Sequence, residues 1–117
     1  MALLEPFRMA ASQIGLSDTQ KDQIKGIAQS HADEWKGLAD RERQARRGLQ
    51  TAIAAAQFDE VAIRQRSAEL SAIEADIAVA RARVRAEAMQ LFTADQLTKL
   101  KEIESQIPQG RGRRGQQ

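Results

Sequence analysis

Apolar residues recur at helical spacing along four segments of this chain, and short breaks separate the segments. The first segment is interrupted by Pro6, which a helix accepts only in its first turn. The second segment follows a break at Gly15 and the third follows a polar turn. The predicted helices span residues 2–12, 18–56, 60–91 and 93–107.

Three of the predicted helices begin with recognisable capping residues. Ser17 and Gln20 have the spacing of a capping box, in which each side chain bonds the backbone N–H of the other residue. Thr93 and Gln96 repeat this arrangement. Asp59 is placed to cap the helix that follows it. These local signals favour helix starts close to residues 18, 60 and 94.

The short connection before Asp59 predicts that the two long helices fold back on each other as an antiparallel hairpin. The second long helix carries apolar residues at spacings of three, four and seven, the period of a coiled-coil seam. These are Ile63, Leu70, Ile73, Ile77, Ala80, Val84 and Leu91. We therefore predict an all-α fold, a long helical hairpin with short flanking helices, in one domain of residues 1–107. A disordered basic tail is predicted at residues 108–117.

The first long helix contains an eleven-residue repeat, which places equivalent residues on nearly straight lines along a helix. Its glycines are Gly15, Gly26, Gly37 and Gly48. One line is apolar, formed by Leu16, Ile27, Leu38 and Leu49, and a second line is basic, formed by Lys25, Lys36 and Arg47. The glycines either let the helix curve or let a partner approach closely, or they have no function and are tolerated remnants of an ancestral repeat.

Composition and charge narrow the possible functions. The 117 residues include no cysteine and one histidine, which excludes thiol chemistry, disulfides and the usual Cys/His zinc sites. We expect no enzymatic activity and no cofactor. The formal charge of +2 includes three arginines of the tail, so residues 1–107 sum to −1 and a nucleic-acid-binding body is not indicated. No apolar run is long enough for membrane insertion, and the first nine residues lack a signal-peptide pattern.

The capped segments resemble a known family. The pentapeptides LSDTQ at 16–20 and FTADQ at 92–96, with Gln-Phe-Asp at 57–59 and Ala-Arg-Arg at 45–47, are similar to the repeated LTxxQ motif and hairpin of Spy/CpxP proteins. The resemblance covers about residues 7–106. Ser17 stands where the family motif usually has Thr, and Phe92 where it usually has Leu.

This resemblance implies a cradle-shaped homodimer that acts as an ATP-independent periplasmic chaperone for unfolded or partly folded client proteins. Exported clients would meet a surface that mixes cationic and apolar side chains. Carried over onto this chain, the candidate client-binding residues are Ile14, Leu16, Lys25, Trp35, Arg46 and Arg47, and the repeat adds Lys36. A simpler hypothesis pairs the arginines of each long helix with acidic residues of the other, and places Trp35 in the core or a dimer interface. The expected pairs join Arg43, Arg46 and Arg47 to Glu69 and Glu74, and Arg81, Arg83 and Arg85 to Asp33 and Glu34.

Other functions remain open at this point. A sensor or adaptor of the same family, which docks on a membrane signalling protein in response to metal or envelope stress, is the main alternative, and a passive helical interaction protein is another. His31 with Glu34 is too few ligands for a metal site in one chain, so we assign none, although a weak site shared across a dimer stays possible. The arginine tail could contact RNA or an anionic membrane, but more often such tails aid solubility.

Overall fold

The fold is entirely helical in the part of the chain that the computed structural model describes, residues 3–106. The helices are α1 (Glu5–Ile14), α2 (Asp18–Ser30), α3 (Ala32–Ile53), α4 (Glu60–Met89) and α5 (Ala94–Gln106). The all-α prediction is confirmed, and the bounds of α1, α4 and α5 agree with the predicted ones within a few residues. The tail predicted at residues 108–117 lies outside the described residues.

The prediction of one unbroken helix over residues 18–56 is wrong. His31 separates α2 from α3, with a φ of −105° and a ψ of 4° that lie outside the helical region. The hydrogen-bond ladder nevertheless crosses the break, because His31 N–H donates to Ile27 O at 3.2 Å and Trp35 N–H donates to His31 O at 2.9 Å. The two helices are therefore joined through a single non-helical residue, which we call the α2–α3 joint.

Helices α3 and α4 form the predicted antiparallel hairpin, joined by the turn at residues 54–59. Ion pairs across the hairpin show the direction of the chains. Arg41 pairs with Asp76 at 3.2 Å, and Glu34 lies 4.0 Å from Arg83. As residue numbers fall along α3 they rise along α4, as an antiparallel pair requires. All the predicted seam residues of α4 are buried or half-buried, which confirms the seam.

The core lies at the end of the hairpin away from the turn. There α1 and α5 pack beside the end of α4, and the rings of Phe7 and Phe92 meet edge to face with centroids 5.7 Å apart. We call this end the base. Its buried apolar residues come from every helix: Leu3, Leu4, Phe7, Ala10, Ile14, Leu16, Ile24, Trp35, Leu38, Ile77, Ala80, Val84, Ala88, Phe92 and Leu100.

The opposite end, residues 53–61, we call the tip. Asp59 caps α4 as predicted, since its Oδ1 accepts a hydrogen bond from Ala62 N–H at 3.1 Å. The large apolar side chains of the tip are not packed away: Ile53 is 56% exposed, Phe58 82% and Val61 66%. The hairpin therefore has a well-packed base and an apolar, solvent-facing tip.

Candidate functional site

The two predicted capping boxes both form. Gln20 Oε1 accepts from Ser17 N–H at 2.9 Å while Ser17 Oγ accepts from Gln20 N–H at 3.1 Å. The same reciprocal bonds join Thr93 and Gln96, at 2.9 and 3.2 Å. Each glutamine therefore satisfies a backbone N–H group at the start of its helix, which the helix itself leaves without a partner.

The same two glutamines also bind each other. Gln20 Nε2 donates to Gln96 Oε1 at 2.7 Å, and Gln96 Nε2 donates to Gln20 Oε1 at 2.9 Å. The second N–H of each amide goes to a backbone carbonyl five residues before the partner glutamine: Leu91 O at 2.8 Å for Gln20, and Gly15 O at 2.9 Å for Gln96. Both amides are thus fully used. This glutamine pair ties the start of α2 to the start of α5, 76 residues apart in the chain.

A continuous groove runs between α1 on one side and α2 and α3 on the other. It consists of two adjoining depressions of about 640 and 520 Å³, which share Leu4, Arg8 and Ala28 in their walls. Apolar walls come from residues that belong to the core, including Leu16, Ile24 and Trp35. We call this feature the cationic groove, for the side chains on its rim.

The rim carries more positive than negative charge. Its basic residues are Arg8, Lys21, Lys25, Lys36 and Arg43, and its acidic residues are Asp22 and Asp40. Arg8 pairs with Glu5 at 3.4 Å, and Arg43 pairs with Asp40. Among residues 3–106, no carboxylate lies within ion-pair distance of the three lysines. Their charges are therefore available to an acidic ligand.

The structure brings four of the seven candidate client-binding residues together in the cationic groove. Leu16 and Lys25 line its first depression, and Trp35 and Lys36 line its second. Ile14, only 1% exposed, lies in the core. The groove residues that the sequence analysis missed include Arg8 and Lys21. The four-residue spacing of Lys21 and Lys25 on one helix is a signal that could have found Lys21. No local pattern indicates that α1 places Arg8 against α2 and α3.

Arg46 and Arg47 lie farther along α3, outside these two depressions. Arg46 contacts Glu42 on its own helix at 3.2 Å and Glu74 of α4 at 3.4 Å, as the ion-pair hypothesis predicts. Arg47 is exposed and lines a separate depression of about 550 Å³ together with Arg66 of α4. The two arginines thus have different surroundings despite their adjacent positions.

The arginines near the end of α4 do not all pair as the sequence suggested. Arg83 approaches Glu34 of α3 as expected, at 4.0 Å. Arg85 instead forms a two-pronged ion pair with Glu104 of α5, which raises the pKa of that guanidinium. The carboxylate of Glu104 therefore fastens α5 to α4 at the base.

The glycines of the eleven-residue repeat, which we call the glycine line, do not allow a close approach between helices within the protomer. A Cβ atom added at Gly26 or Gly37 would meet no atom within 4 Å, and one added at Gly48 would touch only the flexible side chain of Arg66 at 3.5 Å. Gly15 differs from the other three, because its φ of 75° closes α1 in a left-handed conformation that L side chains rarely adopt. Only at this first position of the repeat does the local backbone favour glycine.

The chain shows no built metal site or membrane span in its described part. Within residues 3–106, no three His, Asp or Glu side chains converge on a point where an ion could sit. The carboxylates beside His31 face opposite nitrogens of its ring. No helix among the described residues combines the length and apolar character that a membrane crossing needs.

Comparison with known proteins relates this chain to one family. Searches of curated proteins and of solved structures found no significant match. A family model described as LTXXQ motif family protein matches residues 4–104, which include both capping boxes, the glutamine pair and the whole hairpin. The chain therefore belongs to the LTXXQ motif family, the family of Spy/CpxP-type periplasmic proteins.

Proposed function

We propose that this protein is an ATP-independent chaperone of the periplasm that binds unfolded or partly folded clients in the cationic groove and suppresses their aggregation. One observation carries the proposal: three lysines without acidic partners among the described residues stand beside the apolar walls of an open groove. Membership in the LTXXQ family supports it as well.

The groove suits clients that carry carboxylates next to apolar side chains. Lysine charges attract acidic segments over a distance of about 10 Å at moderate salt, before any side chain touches. Apolar side chains of the client then pack against the apolar walls of the groove, which gives affinity without requiring one particular sequence. Because neither depression is a closed cavity, a bound segment can leave again without an energy source.

The test is light scattering of two unrelated aggregating clients, one acidic and one basic, without nucleotide. The double variant Lys25→Glu with Lys36→Glu reverses two rim charges and should lose most of the suppression, above all for the acidic client. Lys99→Glu with Lys101→Glu is the matched control, because both lysines are exposed on α5 and lie outside the groove. Equal loss in both variants would refute the groove as the site, and no suppression by the wild type would refute the chaperone function.

Arg46 and Arg47 form a second candidate contact surface. The variant Arg46→Glu with Arg47→Glu should weaken suppression while helicity, measured by circular dichroism, is retained. Since Arg46 is already engaged with Glu42 and Glu74, we expect Arg47→Glu alone to cause most of that loss. Full suppression by the double variant would remove both arginines from the client-binding surface.

We further propose that the chaperone acts as a homodimer. The exposed apolar side chains of the tip support this, because a small helical hairpin gains stability when a second chain covers such surface. Sedimentation velocity should give a dimer for the wild type and a shift toward monomer for Phe58→Asp. A monomeric wild type, or a variant that dimerises as strongly, would contradict this proposal.

A further inference from the structure

His31 is the residue of the α2–α3 joint, and both nitrogens of its ring contact carboxylates. Nδ1 lies 3.1 Å from Oε1 of Glu34 on α3, and Nε2 lies 2.8 Å from Oε1 of Glu87 on α4. Arg83 of α4 also approaches Glu34, at 4.0 Å. The histidine therefore links the joint to α4 through its Nε2 contact with Glu87, while its Nδ1 contact with Glu34 lies within the first turn of α3.

The ring can donate to both carboxylates only when each nitrogen carries a proton. A neutral imidazole has one N–H, so one of the two carboxylates would then face a bare lone pair. The imidazolium donates to both. Glu34 and Glu87, in that order, raise the pKa of His31 above its ordinary value of about 6.5. A histidine whose pKa is raised in the folded state contributes stability below about pH 6.5, and loses that contribution as the pH rises through the folded-state value.

The ring of His31 also contacts a residue that lines the cationic groove. The ring of His31 stacks on Trp35, with centroids 5.6 Å apart and an angle of 12° between the planes. Trp35, in turn, lines the second depression of the groove beside Lys36. A change in the hydrogen bonds of His31 can therefore alter the groove wall through Trp35.

We propose that His31 is a proton-operated clamp, which holds the α2–α3 joint against α4 when protonated and, through Trp35, keeps the cationic groove in its client-binding shape. Its effect on clients rests on the proposed chaperone function, whereas the clamp itself is testable without a client. Loss of the proton releases one hydrogen bond and loosens the joint. Client binding then weakens as the pH rises.

The tryptophan provides a direct readout, since the chain has one tryptophan and one histidine. A stacked imidazolium quenches indole fluorescence more than a neutral imidazole does. Emission from Trp35 should therefore rise between pH 6 and pH 9 in a single one-proton step with a midpoint above 6.5. Glu87→Gln should lower this midpoint by about one pH unit, because it removes an opposite charge beside the ring. His31→Gln should abolish the step.

Glu102→Gln is the matched control, because Glu102 is exposed on α5 and makes no contact with His31. It should leave the midpoint unchanged. Emission that does not vary with pH, or a midpoint that Glu87→Gln fails to move, would overturn the clamp. Circular dichroism of each variant at pH 6 confirms that the comparison is between folded proteins.

Client affinity at pH 6 and pH 8.5 tests the coupling to the groove. The wild type should bind about fivefold more weakly at pH 8.5, and His31→Gln should bind equally at both values. If Trp35 emission changes with pH but client binding does not, the coupling is overturned. If Trp35 emission changes with pH in a protein that binds no client, the clamp stands and the chaperone function is refuted.

Discussion

The base and the tip of this hairpin are built from similar amino acids but are stabilised differently. At the base, Ile14 is 1% exposed, and the amides of Gln20 and Gln96 bond each other across the fold. At the tip, another isoleucine, Ile53, is 56% exposed, and Phe58 faces solvent. The same residue types therefore stabilise the protomer at one end and remain available at the other.

The difference follows from what covers each end. Helices α1 and α5 pack at the base, where burial of a large apolar side chain contributes about 1.5–3 kcal/mol. No helix of the described residues covers the tip, and its neighbouring contacts are exposed ion pairs such as Arg64 with Glu60 at 2.8 Å. Such pairs contribute at most about 1 kcal/mol. We expect the tip to open locally before the base, so the groove rests on the more rigid end.

The largest expected effect separates the two ends with one substitution. Ile14→Ala should lower the free energy of unfolding by about 2–5 kcal/mol, because it leaves a cavity in the base. Ile53→Ala, the same change at the tip, should alter it by less than about 0.5 kcal/mol in the monomer. Urea denaturation followed by circular dichroism measures both. Similar losses for the two variants would contradict the contrast between base and tip.

The glutamine pair gives the next largest effect. Gln96 is 9% exposed, and its removal leaves Gly15 O and Thr93 N–H without their side-chain partner and takes two of the four hydrogen bonds from the Gln20 amide. Gln96→Ala should therefore cost about 1–3 kcal/mol of stability. Gln65→Ala on the exposed face of α4 is the control, and should be nearly neutral. A neutral Gln96→Ala would mean that the pair does not hold the base together.

The glycine line should give a smaller effect of opposite sign. Gly26→Ala and Gly37→Ala place a methyl group in open space and remove backbone freedom, so each should raise stability by about 0.5–1 kcal/mol. Thermal melts measure the gain, and the aggregation assay shows its consequence. Unchanged client binding would favour glycines that are merely tolerated in the repeat. Lost binding would show that α2 and α3 must bend, or that a partner must approach them closely.

The surface ion pairs should give the smallest effect. Arg64→Gln near the tip and Arg41→Gln in the middle of the hairpin should each cost less than about 1 kcal/mol, and the cost should shrink in high salt. Denaturation at two salt concentrations provides the measurement. A loss comparable to that of Ile14→Ala would show that ion pairs, and not the buried base, hold the hairpin.

The features predicted correctly from the sequence depend on neighbours in the chain. A capping box such as Ser17 with Gln20 lies within one helical turn, and so does the bond from Asp59 to Ala62. The apolar seam of α4 follows from helical periodicity, and the antiparallel hairpin from a short turn. For this reason the starts of α2, α4 and α5, the fold class and the exposure of Lys25 and Lys36 were all predictable.

The candidate site was only partly predictable. The eleven-residue repeat placed Lys25 and Lys36 on one line, but it extended that line to Arg47, which lies outside the groove. Arg8 came from α1, a helix with no evident role in the sequence. The break at His31 was missed because the apolar period continues through it, while the contact that accompanies the break, with Glu87, lies 56 residues away.

The sequence by itself determined where the capped helices α2, α4 and α5 begin, which faces are apolar, which family motif the chain carries and which cations are placed on exposed faces, since these depend on spacing within a few turns. Only the tertiary structure decided that the two motif glutamines bind each other, that α1 forms the wall of a groove and that His31 is held between two carboxylates. Each of these contacts joins residues far apart in the chain, and their meeting depends on how whole helices pack.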